Sequence, residues 1–356
     1  MKLKFQYSAL VVLSLSFALV AGACLSAPDS GMPPIEAPVS VPVVAPAGVS
    51  PAGAAGQMPG GGLMPGGGPS SVDTSTIARK WLDVPYASTS ATQKLDIFLP
   101  DAGEGPFPVI ISIHGGAFKL GNRKSGELVP MLAGRARGYA VVSVDYRLSG
   151  EARFPAAVHD LKAAVRFIRV HAGEYRLDAA RIVAWGGSAG GNLAAMLGTS
   201  AGDAYLEGTE GDAKASSAVQ AVVDWYGPIS FSTMDAEFKA LGMTPKMGAT
   251  SVASSPESEY LGKTVGTPEA GPLVGLASPA SYIDATDPPF YIQHGTADTN
   301  VPLTQSVNFA GKLAASIGAG KVMFEKLEGS GHGGLAFEAE ANLEKIYAFL
   351  DAALKR

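Results

Sequence analysis

The chain has 356 residues, one cysteine and a formal net charge of −5, from 27 Lys plus Arg against 32 Asp plus Glu. No basic run stands ready for a phosphate backbone, which excludes nucleic acid as a partner class. The lone cysteine excludes an intramolecular disulfide, and the five histidines show no H-E-x-x-H spacing, so no metal or cofactor is expected.

In chain order, Lys2 and Lys4 precede an apolar run from Ala9 to Val20, too short for a comfortable transmembrane helix and shaped like a secretory signal peptide over residues 1–23. The run ends in Ala21-Gly22-Ala23-Cys24, which resembles a bacterial lipoprotein lipobox with Ala21 where leucine is usual. Cys24 is therefore the expected lipid attachment point and the membrane the expected partner. Plain signal-peptidase cleavage and soluble secretion form the alternative. From Cys24 to Val72 the segment holds ten prolines and ten glycines, with only Asp29 and Glu36 charged. Such a composition cannot bury a core and reads as a disordered tether over 24–72, reaching on the order of 40 Å as a coil. The near repeat of Met58-Pro59-Gly60-Gly61-Gly62 at Met64 reads as spacer.

Residues 73–356 suit one domain, burying roughly 75% of its unfolded surface. Apolar runs predict strands over Lys94–Leu99, Val109–Ile113, Ala140–Val144, Arg181–Trp185, Val219–Trp225, Phe290–Gln293 and Val322–Leu327. Helical periodicity covers Ser125–Arg137, Pro155–His171, Ala189–Ser200, Pro302–Ile317 and Leu335–Leu354. The alternation predicts an α/β fold, a mostly parallel sheet covered on both faces by helices. A Gly/Pro/Ser-containing insertion between Tyr226 and Pro288 reads as a small cap, about 228–287.

Within that frame, Gly186-Gly187-Ser188-Ala189-Gly190-Gly191 follows a strand and opens a helix. Glycines around Ser188 permit the strained turn that holds a serine exposed, and the helix aims N–H groups at it. A serine hydroxyl needs such placement, a base and oxyanion donors before it can attack. Three further strand ends carry chemistry. Ile113 leads into His114-Gly115-Gly116-Ala117-Phe118, a loop able to offer main-chain donors. Gln293 leads into His294-Gly295-Thr296-Ala297-Asp298, and Leu327 into Gly331-His332-Gly333.

The order Ser188, Asp298, His332 is the triad order of an α/β-hydrolase. Together with Val144-Asp145-Tyr146-Arg147-Leu148, Phe154-Pro155-Ala156-Ala157-Val158-His159-Asp160 and Asp224-Trp225-Tyr226-Gly227-Pro228, these segments resemble the carboxylesterase and hormone-sensitive-lipase-like group, with particular similarity to bacterial acetyl-xylan and feruloyl esterases. The resemblance spans about residues 80–350 and implies the α/β-hydrolase fold. It makes Ser188 the nucleophile, His332 the base and Asp298 its partner, with N–H donors from Ala189, Gly116 and Ala117 for the oxyanion. Ala117 stands where those relatives usually carry a third glycine, which leaves the donor pair open.

Among the other titratable groups, His159 and His171 read as surface or capping residues, and His114 and His294 as braces for loops. Asp224 is the runner-up acid. Asp145 reads as structural, with Arg147 as its natural ion-pair partner. The expected function is a serine carboxylic-ester hydrolase acting on a small-molecule or polysaccharide-borne ester, and the resemblance implies an acetyl or feruloyl ester of plant polysaccharide. The alternatives are a prolyl-oligopeptidase-like serine peptidase, which lacks a propeller-sized N-terminal region here, and a non-catalytic surface binding protein.

Overall fold

The computed structural model describes residues 71–355. The leader expected over 1–23, Cys24 and the part of the expected tether up to residue 70 lie outside the described residues. The strands are β1 (Lys80–Pro85), β2 (Lys94–Phe98), β3 (Phe107–Ile113), β4 (Ala140–Val144), β5 (Leu177–Gly187), β6 (Ala221–Trp225), β7 (Phe290–Gly295) and β8 (Val322–Leu327). The helices are α1 (Val129–Leu132), α2 (Ala156–Val170), α3 (Ala189–Thr199), α4 (Ala204–Glu207), α5 (Met234–Ala240), α6 (Pro256–Leu261), α7 (Gly271–Leu276), α8 (Thr304–Ile317), α9 (Leu335–Glu338) and α10 (Glu340–Ala353).

The eight strands form one sheet in the order β1-β2-β4-β3-β5-β6-β7-β8. β1 pairs antiparallel with β2, and β2 with β4; every later pairing is parallel. Strands β3, β4, β6 and β7 are buried along their whole length, which explains their near-continuous apolar sequences. Alternate residues feed two cores. Ile111, Val142, Ala184, Val222 and Ile292 pack with α2, α3 and α8, while Ile110, Val141, Val183, Val223 and Tyr291 pack with Ile346, Tyr347 and Leu350 of α10. Burying each such aliphatic side chain contributes about 1.5–3 kcal/mol.

β1 was not foreseen, because its Lys-Trp-Leu-Asp-Val-Pro sequence is mostly exposed and does not alternate. It bulges between Trp81 and Val84, where Asp83 has φ 59° and donates its N–H to Asp96 Oδ1 at 2.7 Å; the bulge and Pro85 blunt the sheet edge. The helix expected over Ser125–Arg137 is broken into a 3-10 turn, α1 and a second 3-10 turn, with Gly126, Pro130 and Gly134 spread along it. The helix expected over Leu335–Leu354 breaks at Ala339, which is extended at φ −57° and ψ 136°. The break lets Phe337 pack on Trp225 and Tyr226 while α10 lies on the sheet.

The insertion between β6 and β7 folds into α5, α6, α7 and a 3-10 turn at Pro279–Ser281. It packs on the loop after β3: Tyr260 stacks on Phe118 at 4.0 Å, and Phe231 meets Phe118 edge-on at 6.0 Å. Lys119 adds an ion pair to Glu259.

Candidate active site

Strand β3 is where the chain changes direction across the sheet, since β4 lies on one side of it and β5 on the other. Sites in open α/β sheets form beyond the carboxyl ends of the strands at such a switch. The loops after β3, β5, β7 and β8 carry the residues singled out from the sequence.

Ser188 sits at the β5–α3 turn with φ 58° and ψ −124°, a strained conformation for a residue with a Cβ. The turn is held by its N–H donating to Trp225 O at 2.9 Å and its carbonyl accepting from Asn192 N at 3.0 Å. The flanking glycines are required by close backbone approach. A Cβ at Gly186 would overlap the Gly190 carbonyl, and one at Gly190 would overlap the Ile113 carbonyl of β3. The same contacts pack the loop after β3 against the elbow.

His332 bridges the other two members. Its Nδ1 lies 2.7 Å from Asp298 Oδ2 and its Nε2 lies 2.8 Å from Ser188 Oγ. An ionised carboxylate can only accept, so Nδ1 carries a hydrogen and, in the neutral ring, Nε2 accepts the serine proton. Asp298 Oδ1 accepts from Asn300 N at 2.8 Å and Val301 N at 3.0 Å. Burial pushes this carboxyl up, but hydrogen bonds from His294 and His332 and the charge of those rings outweigh it and hold Asp298 well below the usual carboxylate range. The structure thus brings Ser188, Asp298 and His332 into one hydrogen-bonded chain.

Gly116 and Ala117 adopt φ values of 102° and 56°. Among the described residues, the N–H groups of Gly116, Ala117 and Ala189 have no hydrogen-bond acceptor. Phe118, at φ 59°, continues the turn and is buried. Ala117 holds a left-handed conformation that a residue with a Cβ adopts only at a cost.

The remaining candidates fall elsewhere. Asp224, the runner-up acid, is fully buried at the end of β6; Oδ1 accepts from Gly227 N at 2.9 Å, and Oδ2 has no partner among the described residues. Burial pushes its carboxyl up to about 6 despite the Gly227 bond and the nearby His294. His114 is buried, stacked on Tyr146 at 4.4 Å. His159 lies 2.9 Å from Tyr205 O through Nε2, and His171 caps α2. The ion pair expected between Asp145 and Arg147 is not formed. Arg147 binds Asp160 at 2.7 Å, and Asp145 accepts from Arg123, which also reaches Asp96 at 2.9 Å.

Two neighbours of the site were not foreseen. Glu127 accepts from Gly115 N at 2.5 Å and so ties down the loop after β3. Tyr226 lies against His332 at 4.6 Å, and a Cβ on Gly187 or Gly333 would come within 3.0 or 2.9 Å of its hydroxyl. Burial, with negative charge from Glu127 and Asp298, raises that phenol far above its ordinary value. Tyr226 was visible only as part of the Asp224–Pro228 motif; Glu127 had no local signal.

Comparison with known proteins agrees with this architecture. The BD-FAE family matches residues 95–313. Esterase LipQ of Mycobacterium tuberculosis is 32% identical over 264 residues, covering 73% of this chain and 58% of LipQ. The chain spans about half to three fifths of the length of such curated relatives. A bifunctional GH43-CE protein of Bacteroides eggerthii is 36% identical with a TM-score of 0.68, covering 78% of this chain and 35% of that one. A truncated carbohydrate esterase from gut microbiota is 32% identical with a TM-score of 0.69, covering 81% of this chain and 100% of that one. The chain therefore belongs to the BD-FAE family and has the α/β-hydrolase fold of the serine esterases it resembles.

Proposed function

We propose that the protein is a serine carboxylic-ester hydrolase with Ser188 as nucleophile, His332 as general base and acid, and Asp298 as the partner that fixes the His332 tautomer. The observation that carries this reading is the imidazole of His332 spanning from Ser188 Oγ to Asp298 Oδ2 at 2.8 and 2.7 Å. His332 Nε2 takes the serine proton as Oγ bonds to the acyl carbon. The oxyanion is held by N–H of Ala189 with Gly116 or Ala117, each donor lowering the barrier by about 3–4 kcal/mol. Collapse expels the alcohol with the proton from His332. Water, deprotonated by His332, then cleaves the acyl-enzyme to the carboxylic acid and free Ser188.

The two carbohydrate-esterase likenesses support an acyl ester borne on a polysaccharide, acetyl or feruloyl, as substrate. The insertion over 228–287 serves as a cap that shapes the acyl or alcohol pocket, a role supported by its Tyr260 and Phe231 contacts with Phe118. Export by the leader and lipid attachment at Cys24 complete the reading; intact mass of the mature protein tests the anchor, and a Cys24 without acyl chains removes it.

The activity is tested with p-nitrophenyl acetate, butyrate and octanoate, then acetylated xylan and a feruloylated oligosaccharide, each against Ser188→Ala. Ser188-dependent turnover favouring the acetyl ester is the expected result. Turnover unchanged in Ser188→Ala refutes it.

A further inference from the structure

We infer that His294 is a positioning residue of this site: it ties down the 298–301 loop through Val301 O and stands behind Asp298 Oδ2, keeping the carboxylate in the orientation His332 needs. The inference rests on the triad proposed above. His294, the penultimate residue of β7, is fully buried and is used by no step of that mechanism. Its Nε2 lies 3.0 Å from Val301 O and 3.2 Å from Asp298 Oδ2, and its Nδ1 lies 2.7 Å from Ser306 Oγ of α8. Val301 O can only accept, so Nε2 carries a hydrogen and donates it there, while the same nitrogen stands 3.2 Å from Asp298 Oδ2 and Nδ1 is hydrogen-bonded to Ser306 Oγ. The imidazole is thereby clamped between α8 and the 298–301 loop.

The consequence falls on one oxygen. Asp298 Oδ1 is committed to the Asn300 and Val301 N–H groups, whereas Oδ2 is bonded to His332 on the cleft side and has His294 Nε2 3.2 Å away on the buried side. Both imidazoles thus meet at Oδ2, in the order Ser306, His294, Asp298, His332, Ser188. Asp224 on β6 and the Tyr226 ring, edge-on to His294 at 6.5 Å, close the surroundings without donating to Oδ2. Without His294, Val301 O loses its donor and Oδ2 the ring edge behind it, and alignment of His332 depends on the Oδ1 bonds alone. Supporting donors of this kind are worth on the order of 10- to 100-fold.

The test compares His294→Gln and His294→Leu in the full chain on p-nitrophenyl acetate, with the downfield imidazole N–H proton resonance as a second readout. Gln can place an amide N–H where Nε2 stands; Leu cannot. We expect Gln to keep kcat within about 3-fold, and Leu to lower kcat on the order of 10- to 100-fold with KM unchanged and the resonance displaced. Should Leu not fold, Ser306→Ala carries the test through a smaller fall in kcat, again at constant KM. Folded Leu with parental kcat, or Gln and Leu equally impaired with KM raised, overturns the positioning role. A parent with no Ser188-dependent turnover overturns the triad, and this role with it.

Discussion

Replacing Asp298 by Asn separates the roles of the two carboxylate oxygens. Oδ1 accepts two backbone N–H groups, from Asn300 and Val301 at 2.8 and 3.0 Å, so the amide oxygen of Asn must take that position. The NH2 group then faces His332 Nδ1 at 2.7 Å and His294 Nε2 at 3.2 Å. Facing a donor, His332 switches tautomer, and Nε2–H now points at Ser188 Oγ, where it cannot take a proton. A wrong-tautomer imidazole in a serine triad costs about 10⁴ in kcat, or about 5.5 kcal/mol at 1.36 kcal/mol per decade. The donor opposite His294 costs about 1–3 kcal/mol of stability in addition. Steady-state hydrolysis of p-nitrophenyl acetate by folded Asp298→Asn measures the first term, and urea unfolding the second. A kcat within about tenfold of the parent would mean that Asp298 is not the acid of the triad.

Three further predictions follow from neighbouring groups. Asp224 binds its proton more tightly folded, at about 6, than at its ordinary 3.8, so its contribution to stability is complete below about pH 4 and is lost as pH rises through 6. Two units correspond to roughly 3 kcal/mol; the stability difference between Asp224→Asn and the parent should change by that order between pH 4 and 7 in urea titrations, with esterase activity retained, and a constant difference would refute it. Gly190→Ala forces a Cβ onto the Ile113 and His114 carbonyls, and should destabilise by about 3 kcal/mol or more, read as a lowered Tm. Ala117→Gly relieves a left-handed alanine at φ 56° while keeping its N–H, so Tm should not fall and kcat should stay within a few-fold; a large loss of kcat would deny that the loop acts through its main chain.

The parts of this molecule that could be read from sequence are those whose cause is local. Buried parallel strands betray themselves as apolar runs, and the elbow around Ser188 as glycines forced by the carbonyls of Ile113 and Gly190. Strand β1 escaped because an exposed, bulged edge imposes no alternation on Lys80–Pro85. The break at Ala339 carries no glycine or proline; it is imposed by where Phe337 and α10 must pack. Pairings across the sequence were equally hidden. Arg147 lies two residues from Asp145, yet the fold offers it Asp160 on α2, and Glu127 finds Gly115 only once the 3-10 turn lies beside the loop after β3. His294 reads as a loop brace, but its approach to the Asp298 oxygen that also faces His332 is set only when β7 and the 298–301 loop fold together.

The central claim is that Ser188 is a nucleophile activated by His332. Incubation of the mature protein with a fluorophosphonate, followed by intact mass and peptide mapping, tests it most directly. A single adduct on Ser188, absent from Ser188→Ala and formed far more slowly by His332→Ala, is the predicted result. An adduct that maps to another residue, or one that forms at the parental rate without His332, would contradict it.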